Sequence, residues 1–195
     1  MQHNSICEKY KGNWYSFNIM NIEQKGKDPY EYEYITRTQR SCRGGVEVVP
    51  IIKKEGKLYL LLIKNFRYPI NAYCLEFPGG IIDEGETLEE AAARELREET
   101  GYIINKILSV QPEIQVDPWK SDDTNNIVIG LVDGDAEENL VTQNQLDHIE
   151  KIEPIIVEWD NLEKQIEELS KEYRIMNSIG YFLTFKKMYS LINNI

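Results

Sequence analysis

The stretch that most constrains the fold of this chain is residues 79–102, GGIIDEGETLEEAAARELREETGY, which holds eight acidic side chains. Thr87 followed three residues later by Glu90 forms a capping-box pattern, which predicts a helix that begins near Leu88. The alanines that follow favour a helix, and Gly101 provides a stop. We therefore expect a loop followed by one well-defined helix whose side chains are strongly acidic.

The face of this helix that should pack against the protein changes from apolar to acidic along its length. Ala91 and Ala92 mark that face, and at about 100° per residue Glu95 and Glu99 continue it, with Glu98 at its edge. Buried carboxylates need a neutralising partner. Ligand sets made only of oxygen select hard cations, so the pattern predicts a site for Mg²⁺ or Mn²⁺.

Arg94 offers a second way to neutralise these acids. It stands four residues before Glu98 and can pair with it, which leaves Glu95 and Glu99 as the predicted metal pair. The alternative from these residues alone is an ordinary exposed helix held by salt bridges. The spacing of the acids does not decide between the two readings.

Composition limits the partners of the chain. A net charge of −11 over 195 residues argues against nucleic acid or an anionic membrane as a partner, because both bind basic surfaces. It does not exclude an anionic small molecule, because a bound divalent metal reverses the local charge. The first residues, MQHNSICEKYKG, lack an apolar signal core, so we expect a protein of the cytoplasm or nucleus rather than a secreted one.

Cysteine and histidine are scarce. The three cysteines, Cys7, Cys42 and Cys74, lack metal-binding spacing and are expected to be reduced thiols, with Cys74 packed in a strand. With only His3 and His148, a histidine-based zinc site or a Ser-His-Asp triad is not expected, so carboxylates must carry the chemistry.

The chain divides into residues 1–43, an N-terminal β-hairpin segment, and residues 44–195, the main domain. The predicted hairpin joins WYSFNIMNI to YEYEYITR. In the main domain a hairpin turns at Glu55-Gly56, and Pro112 predicts a bulge or an edge strand. The last two segments, NLEKQIEELSKEY and IMNSIGYFLTFKKMYSLI, predict an amphipathic helix and a more buried helix. The pattern favours a mixed sheet with helices on both faces, an α/β (α+β) fold.

The full spacing of the acidic stretch resembles the Nudix box at every defined position. Gly80 is followed after five residues by Glu86, and after seven more by RELREETGY, residues 94–102. This resemblance implies a Nudix hydrolase, an α/β/α sandwich that cleaves a diphosphate joined to a second group with the help of divalent metal.

The flanking segments resemble the ADP-ribose and ADP-sugar diphosphatase branch of that family in its eukaryotic form. The similar segments are NFRYPINAYCLEFPGGIIDEGET, YEYITRTQR, GVEVVPII and QVDPWKSDDT. One departure is Pro118-Trp119, where family members often carry Pro-Gly. The resemblance implies hydrolysis of ADP-ribose to AMP and ribose 5-phosphate.

The resemblance also implies roles for individual acids. Glu95 and Glu99 match metal-binding glutamates, helped by Glu98 and by the backbone carbonyl of Gly79. Glu150 matches a glutamate on a mobile loop that activates water or binds a further metal. These four glutamates are the implied catalytic residues, with Mg²⁺ or Mn²⁺ as the cofactor.

Further positions match residues that contact the substrate. In the family, Trp14 and Tyr32 match aromatic positions that sandwich adenine from two different subunits, which implies a homodimer. The remaining matches are Arg37 to adenine, Arg67 to the diphosphate, Ile81 beside the substrate, and Asp117 in the loop that faces the terminal ribose.

Other interpretations remain open at this level. Taken alone, Trp14 is more often a core residue than a base clamp, and Arg67 is more often part of a surface ion pair. Glu150 would also fit a solvated acidic turn with Asp147 and Glu153. The same chemistry would also serve other nucleoside diphosphate derivatives, such as oxidised nucleotides or GDP-sugars. A non-catalytic module that binds ADP-ribose is a further alternative.

Overall fold

The computed structural model describes residues 2–38, 44–146 and 151–192. Within these residues, eleven strands form two sheets, and three α-helices accompany the larger one. The strands are β1 (Gln2–Lys11), β2 (Tyr15–Glu23), β3 (Tyr30–Arg37), β4 (Gly45–Lys54), β5 (Lys57–Arg67), β6 (Ala72–Glu76), β7 (Gly79–Ile81), β8 (Lys106–Gln115), β9 (Thr124–Asp133), β10 (Ile152–Glu158) and β11 (Arg174–Ile175). The helices are α1 (Leu88–Thr100), α2 (Leu162–Leu169) and α3 (Asn177–Ile192).

The larger sheet is mixed and forks at its central strand. Its order is β11-β6-β5-β4-β9-β8, with β10 paired to β5 and β7 paired to β4. One edge of β5 pairs with β10, and the other edge pairs first with β4 and then with β6. Because β4 and β6 share one edge of β5, they diverge beyond Leu60. The loop that carries Gly79 crosses this gap and pairs with β4.

Helices pack on both faces of the larger sheet, as the sequence predicts. Helix α1 buries Ala91, Ala92 and Leu96 against one face. Helices α2 and α3 bury Leu162 and Ile179, among others, against the other face. Alternation along β5 directs successive leucines to opposite sides, so the central strand contributes to both cores. The predicted α/β/α sandwich is confirmed.

Local signals in the main domain are also confirmed. Glu55 and Gly56 turn between β4 and β5 with φ values of 49° and 76°, the left-handed conformation of a tight hairpin turn. Strand β8 ends the sheet, and its register shifts between Gln111 and Ile114, around Pro112. Pro112 therefore lies at a bulge on an edge strand.

The N-terminal segment is larger than the predicted hairpin. Strands β2 and β3 form that hairpin, but β1 adds a third antiparallel strand. The sequence QHNSICEKYK does not predict this strand, because it has few apolar residues and they follow no period of two. The proposed domain boundary lies between residues 43 and 44, and residues 39–43 on its N-terminal side lie outside the described residues.

Helix α3 is less buried than its sequence predicts. Within it, Ile179 is fully buried, whereas Tyr181 is 72% exposed and Phe185 is 63% exposed. The helix is apolar around most of its circumference, and only the side that carries Ile179 faces the sheet. The expectation of a more buried helix was therefore wrong for the single chain.

Candidate active site

Helix α1 is fixed at both ends by its own sequence. At its start, the backbone N–H of Glu90 donates to Thr87 Oγ1 at 3.2 Å, and the backbone N–H of Thr87 donates to Glu90 Oε2 at 2.9 Å. This is the predicted capping box. At its end, Gly101 adopts a φ of 76° and its N–H donates to the Arg97 carbonyl. The helix therefore presents its second half in a defined orientation.

The glutamates of that second half lie against the loop that crosses the fork. Glu99 is only 5% exposed, and its Oε2 accepts a hydrogen bond from the Gly79 N–H at 2.8 Å. The Glu95 carboxylate lies so close to Gly80 that a Cβ there would come within 2.4 Å of Glu95 Oε1. A side chain at position 80 would therefore displace the Glu95 carboxylate from its place, and the predicted acidic face does face inwards.

Arg94 holds more of these acids than the sequence predicts. Its Nη1 donates to Glu98 at 3.2 Å, which is the predicted pair, and also to Glu95 at 2.7 Å. Its Nε and Nη2 donate to the two oxygens of Glu86 at 2.8 and 2.9 Å, and Nη2 also donates to the carbonyl of Ile81. The hydrogen bonds from Arg94 lower the pKa of Glu86. Arg94 therefore ties the helix to the preceding loop.

Arg67 lines the site from the end of a strand. Strand β5 ends at Arg67, whose Nε donates to Glu76 Oε1 at 2.7 Å while Nη2 donates to Glu76 Oε2. Glu76 is 4% exposed, whereas the Arg67 side chain is about half exposed. The alternative in which Arg67 forms an ordinary surface ion pair does not apply, because its partner Glu76 is buried.

Glu47 is an acid in the site that sequence reasoning did not select. It lies opposite Gly79 in the pairing of β4 with β7. Burial raises the pKa of the Glu47 carboxyl, and the negative charge of Glu76 raises it further. In the sequence GVEVVP, Glu47 fits a strand in which alternate residues face opposite sides of the sheet. Only its position beside the fork shows that it belongs to the site.

These residues line one cleft of about 870 Å³ at the fork of the sheet. Its described lining has seven acidic residues and three arginines, and no lysine or histidine. The acids are Glu47, Glu76, Asp83, Glu95, Glu98, Glu99 and Asp123, and the arginines are Arg37, Arg67 and Arg94. An anionic diphosphate would be repelled by this excess of carboxylates unless cations entered with it.

The donor set of the cleft fits a hard divalent cation. Carboxylate and carbonyl oxygens line the cleft, and such oxygens suit Mg²⁺ or Mn²⁺. In the described part of the chain, no three His, Cys, Asp or Glu side chains are already arranged around one metal position. Arg94 accounts for part of this, because it pairs with both Glu95 and Glu98.

Two predicted residues of the N-terminal segment lie at this cleft, Trp14 in the turn before β2 and Arg37 at the end of β3. Trp14 lines it and is 62% exposed, so it is not a core residue. Arg37 also lines it, with its Nε 3.0 Å from Asp123 Oδ1 and its guanidinium carbon 5.5 Å from the centre of the Tyr15 ring. Ile81 lies in the lining as well.

Two other predicted residues lie outside the lining of this cleft. Tyr32 borders a separate shallow hollow, where its hydroxyl donates to the backbone carbonyl of Trp119. Asp117 begins the turn of the same loop, pairing with Lys120 Nζ at 2.7 Å. Within one chain, Trp14 and Tyr32 therefore border different cavities. Glu150 lies outside the described residues.

The loop between β8 and β9 holds the N-terminal sheet in place. The N–H of Ile35 donates to the Lys120 carbonyl at 2.9 Å, and Thr36 Oγ1 donates to Asp122 Oδ2 at 2.8 Å. These contacts, with the pair of Arg37 and Asp123, place the end of β3 at the cleft.

Several further residues of the cleft were not predicted. Gln145 lines it, and its N–H donates to the Glu98 carbonyl at 2.6 Å, so the segment before the undescribed residues 147–150 is anchored to α1. Glu76 stands in EFPGG, residues 76–80, within a segment that resembles the family. The sequence alone assigned no role to this glutamate. Asn65 and Asp123 also stand in segments that resemble the family, but no role was assigned to them, and only the folded sheet brings them to the cleft.

Among the described helices, none combines the length and apolar character needed to cross a bilayer.

Comparison with known proteins places this geometry in a family. The model of the NUDIX domain matches residues 43–176. The putative nudix hydrolase 2 of Caenorhabditis elegans is 38% identical over 143 residues, covering 73% of this chain and 64% of that protein, just under two thirds of its length. The ADP-ribose pyrophosphatase of Saccharomyces cerevisiae is 38% identical over 158 residues, covering 79% of this chain and 68% of that protein.

A solved structure supports the fold independently. The crystal structure of an ADP compounds hydrolase superposes with a TM-score of 0.69 at 21% identity, covering 85% of this chain and 82% of that one. At this identity the similarity establishes the architecture.

Proposed function

The chain belongs to the Nudix family, and from that premise we propose that it hydrolyses the diphosphate of ADP-ribose and of other ADP-sugars. With ADP-ribose, water adds to one phosphorus, the bridging P–O bond breaks, and the products are AMP and ribose 5-phosphate. The observation that carries the proposal is the single cleft at the fork that Glu95, Glu99 and Arg67 line together. The 38% identity to a yeast ADP-ribose pyrophosphatase supports the choice of substrate.

The acids of α1 suit the divalent cation that this reaction needs. Glu95, Glu98, Glu99 and the carbonyl of Gly79 would hold Mg²⁺ or Mn²⁺, and Glu150 would join them from the segment outside the described residues. When bound, the cation neutralises the diphosphate and lowers the pKa of a water molecule. The remaining tasks fall to the side chains of the chain itself.

Those tasks are binding and orientation. Arg67 would contact the diphosphate, since a planar guanidinium matches the oxygens of a phosphate group and stays charged at any physiological pH. Trp14 is exposed at the cleft and offers a flat ring to the adenine, while Arg37 is held by Asp123 at the same end. The Gly79 N–H fixes the position of the Glu99 carboxylate. From that position Glu99 would bind a cation or accept a proton.

The adenine site would be completed by a second copy of the chain. Trp14 and Tyr32 border different cavities in one chain, which supports a site whose two rings come from two subunits. Asp117 stands in the loop that Tyr32 contacts through the carbonyl of Trp119. We propose that Asp117 lies near the sugar of the substrate whose adenine Tyr32 contacts.

The thiols are compatible with a reducing compartment. Cys7 and Cys74 are free, so we propose the cytoplasm or nucleus as the site of action.

Product analysis tests the proposed substrate. Purified protein is incubated with Mg²⁺ and ADP-ribose, ADP-glucose, GDP-mannose or an oxidised guanine nucleotide, and the products are separated by ion-exchange chromatography. We expect AMP and the sugar phosphate from ADP-ribose at the highest kcat/KM. A preference for the guanine compounds would identify another nucleoside diphosphate hydrolase. Tight binding of ADP-ribose without products would identify a binding module.

A further inference from the structure

Glu76 and Arg67 lie on neighbouring strands with their side chains on one face of the sheet. In the antiparallel pairing of β5 with β6, Ile63 stands opposite Glu76 and Arg67 stands opposite Ala72. Residues two and four apart on a strand share a face, so Arg67 lies on the same side as Ile63 and therefore as Glu76. The Arg67 side chain must fold back along the strands to reach Glu76.

The contact between them is bidentate. Nε of Arg67 donates to one oxygen of Glu76 at 2.7 Å and Nη2 donates to the other. This bidentate contact fixes the plane of the guanidinium as well as its position. It engages two of the three guanidinium nitrogens and leaves Nη1 for a ligand.

Burial makes this pair different from an ordinary surface pair. Glu76 is 4% exposed, and its carboxylate sits near Glu47, so the charge of Arg67 is needed to stabilise two acids in a poorly hydrated place. The Arg67 side chain, by contrast, is 50% exposed at the cleft. Without a buried anchor, a long side chain of that exposure would sample many rotamers.

We propose that Glu76 is a positioning residue, which holds the Arg67 guanidinium in the plane and place where it meets the diphosphate. The inference rests on the proposed function, because it needs Arg67 to contact the substrate. Glu76 itself acts through Arg67. Errors of about 1 Å in the placement of a contacting group can cost about 100-fold in rate. A fixed carboxylate thus gives a mobile arginine the accuracy that the reaction requires.

The first test is Glu76→Gln, which keeps the size of the side chain but replaces one accepting oxygen by an amide. We expect kcat/KM for ADP-ribose to fall by about 10- to 100-fold, with most of the loss in kcat because charge on the phosphate oxygens shifts in the transition state. The matched control is Glu158→Gln, which removes the partner of Lys57 at the other end of β5 and should retain wild-type kinetics.

A double-mutant cycle with Arg67→Ala separates positioning from packing. If Glu76 acts through Arg67, then Glu76→Gln should change kcat/KM by less than about threefold once Arg67 is absent. A purely structural role predicts that the two losses multiply, because packing around Glu76 would be disturbed in either background. Multiplying losses would overturn the proposal, as would full activity of Glu76→Gln.

Chemical rescue gives a readout that a structural role would not produce. Guanidinium chloride at tens of millimolar should restore part of the activity of Arg67→Ala, because Glu76 offers a preformed site for the ion. The same salt should restore nothing to Arg67→Ala/Glu76→Gln, and sodium chloride of equal ionic strength should restore nothing to either. Equal rescue in both backgrounds contradicts the proposal. If neither is rescued, the double-mutant cycle decides.

Three outcomes distinguish this inference from the proposed function. Full activity of Arg67→Ala towards ADP-ribose removes Arg67 from the reaction and overturns this inference but leaves the proposed function standing. A large loss with Arg67→Ala and none with Glu76→Gln overturns only the role of Glu76. No hydrolysis of ADP-ribose by the unmodified protein would instead overturn the proposed function. If Glu76→Gln does not fold, Arg67→Lys serves instead, because lysine keeps the charge but cannot form the bidentate contact with Glu76. It should lose about tenfold or more in kcat/KM, and wild-type kinetics would overturn the proposal.

Discussion

Trp14 is 62% exposed at the cleft, so its removal should affect binding rather than folding. We expect Trp14→Ala to raise KM for ADP-ribose by about 5- to 150-fold, since stacking on a base contributes about 1–3 kcal/mol. The value of kcat should change little, because the adenine is remote from the reacting phosphorus. A core tryptophan would instead lower Tm sharply at unchanged KM. Measuring KM and Tm on one variant distinguishes the two.

Glu99 is the most deeply placed acid of α1, and its charge rather than its volume should matter. Glu99→Gln can still accept the hydrogen bond from the Gly79 N–H, so the fold should survive. We expect kcat to fall by about 100-fold or more, and Mn²⁺ affinity measured by calorimetry to fall with it. The control Glu89→Gln changes an exposed acid in the first turn of the same helix and should leave both values unchanged. Wild-type activity of Glu99→Gln, or of the unmodified protein in excess chelator, would refute the metal assignment.

The two described cysteines should differ in reactivity. Cys7 is exposed, whereas Cys74 is buried at 2% exposure. Burial raises the pKa of the Cys74 thiol, so the reactive thiolate is disfavoured over a wider pH range than in a free cysteine. Iodoacetamide should therefore modify the exposed Cys7 in the native protein, and Cys74 only after unfolding. Peptide mass spectrometry after timed quenching measures both, and early modification of Cys74 would contradict its packing in β6.

At the scale of elements, two glycines at helices should respond in opposite directions to alanine. Gly101 ends α1 at a φ of 76°, and a Cβ there would lie 2.4 Å from the backbone nitrogen of Gln143. We expect Gly101→Ala to lower the free energy of unfolding by more than about 1 kcal/mol, because the left-handed conformation and the contact both oppose it.

Gly180 offers the matched comparison. It lies inside α3, and a Cβ there would meet no atom within 4 Å. Alanine should stabilise that helix by up to about 1 kcal/mol through its higher helix propensity. Urea unfolding of both variants tests the pair. A stabilising Gly101→Ala would show that the junction of α1 with residues 143–145 is not as close as the structure has it.

At the scale of the whole molecule, the separation of Trp14 from Tyr32 predicts a homodimer in which residues 14–37 complete the partner's adenine site. Light scattering should give twice the chain mass of 22.8 kDa. A fully active species of 22.8 kDa would refute it.

A mixing experiment tests the shared site directly. Trp14→Ala and Tyr32→Ala should each weaken ADP-ribose binding. If the two rings of one site come from different subunits, a mixed dimer carries one site with both defects and one intact site. Unfolding and refolding an equal mixture should then restore roughly a quarter of the wild-type sites, since half the dimers are mixed. If both rings belong to the same subunit, mixing should restore none.

The sequence by itself determined what depends on neighbours along the chain. The capping box of Thr87 and Glu90, the stop at Gly101 and the turn at Glu55-Gly56 are local hydrogen-bonding and φ/ψ effects, and each is present as predicted. The inward turn of Glu95 and Glu99 follows from helical periodicity.

Only the tertiary structure decided what depends on strands meeting across the fold. The fork of the sheet between β4 and β6 brings Glu47 and Glu76 to the cleft, although neither stands in a periodic pattern that marks it. Arg94 holds several acids instead of one because the preceding loop folds back over α1. Strand β1 forms because β2 offers an unpaired edge, which no local pattern reveals. Helix α3 has an apolar sequence around most of its circumference, but one sheet can cover only one of its sides.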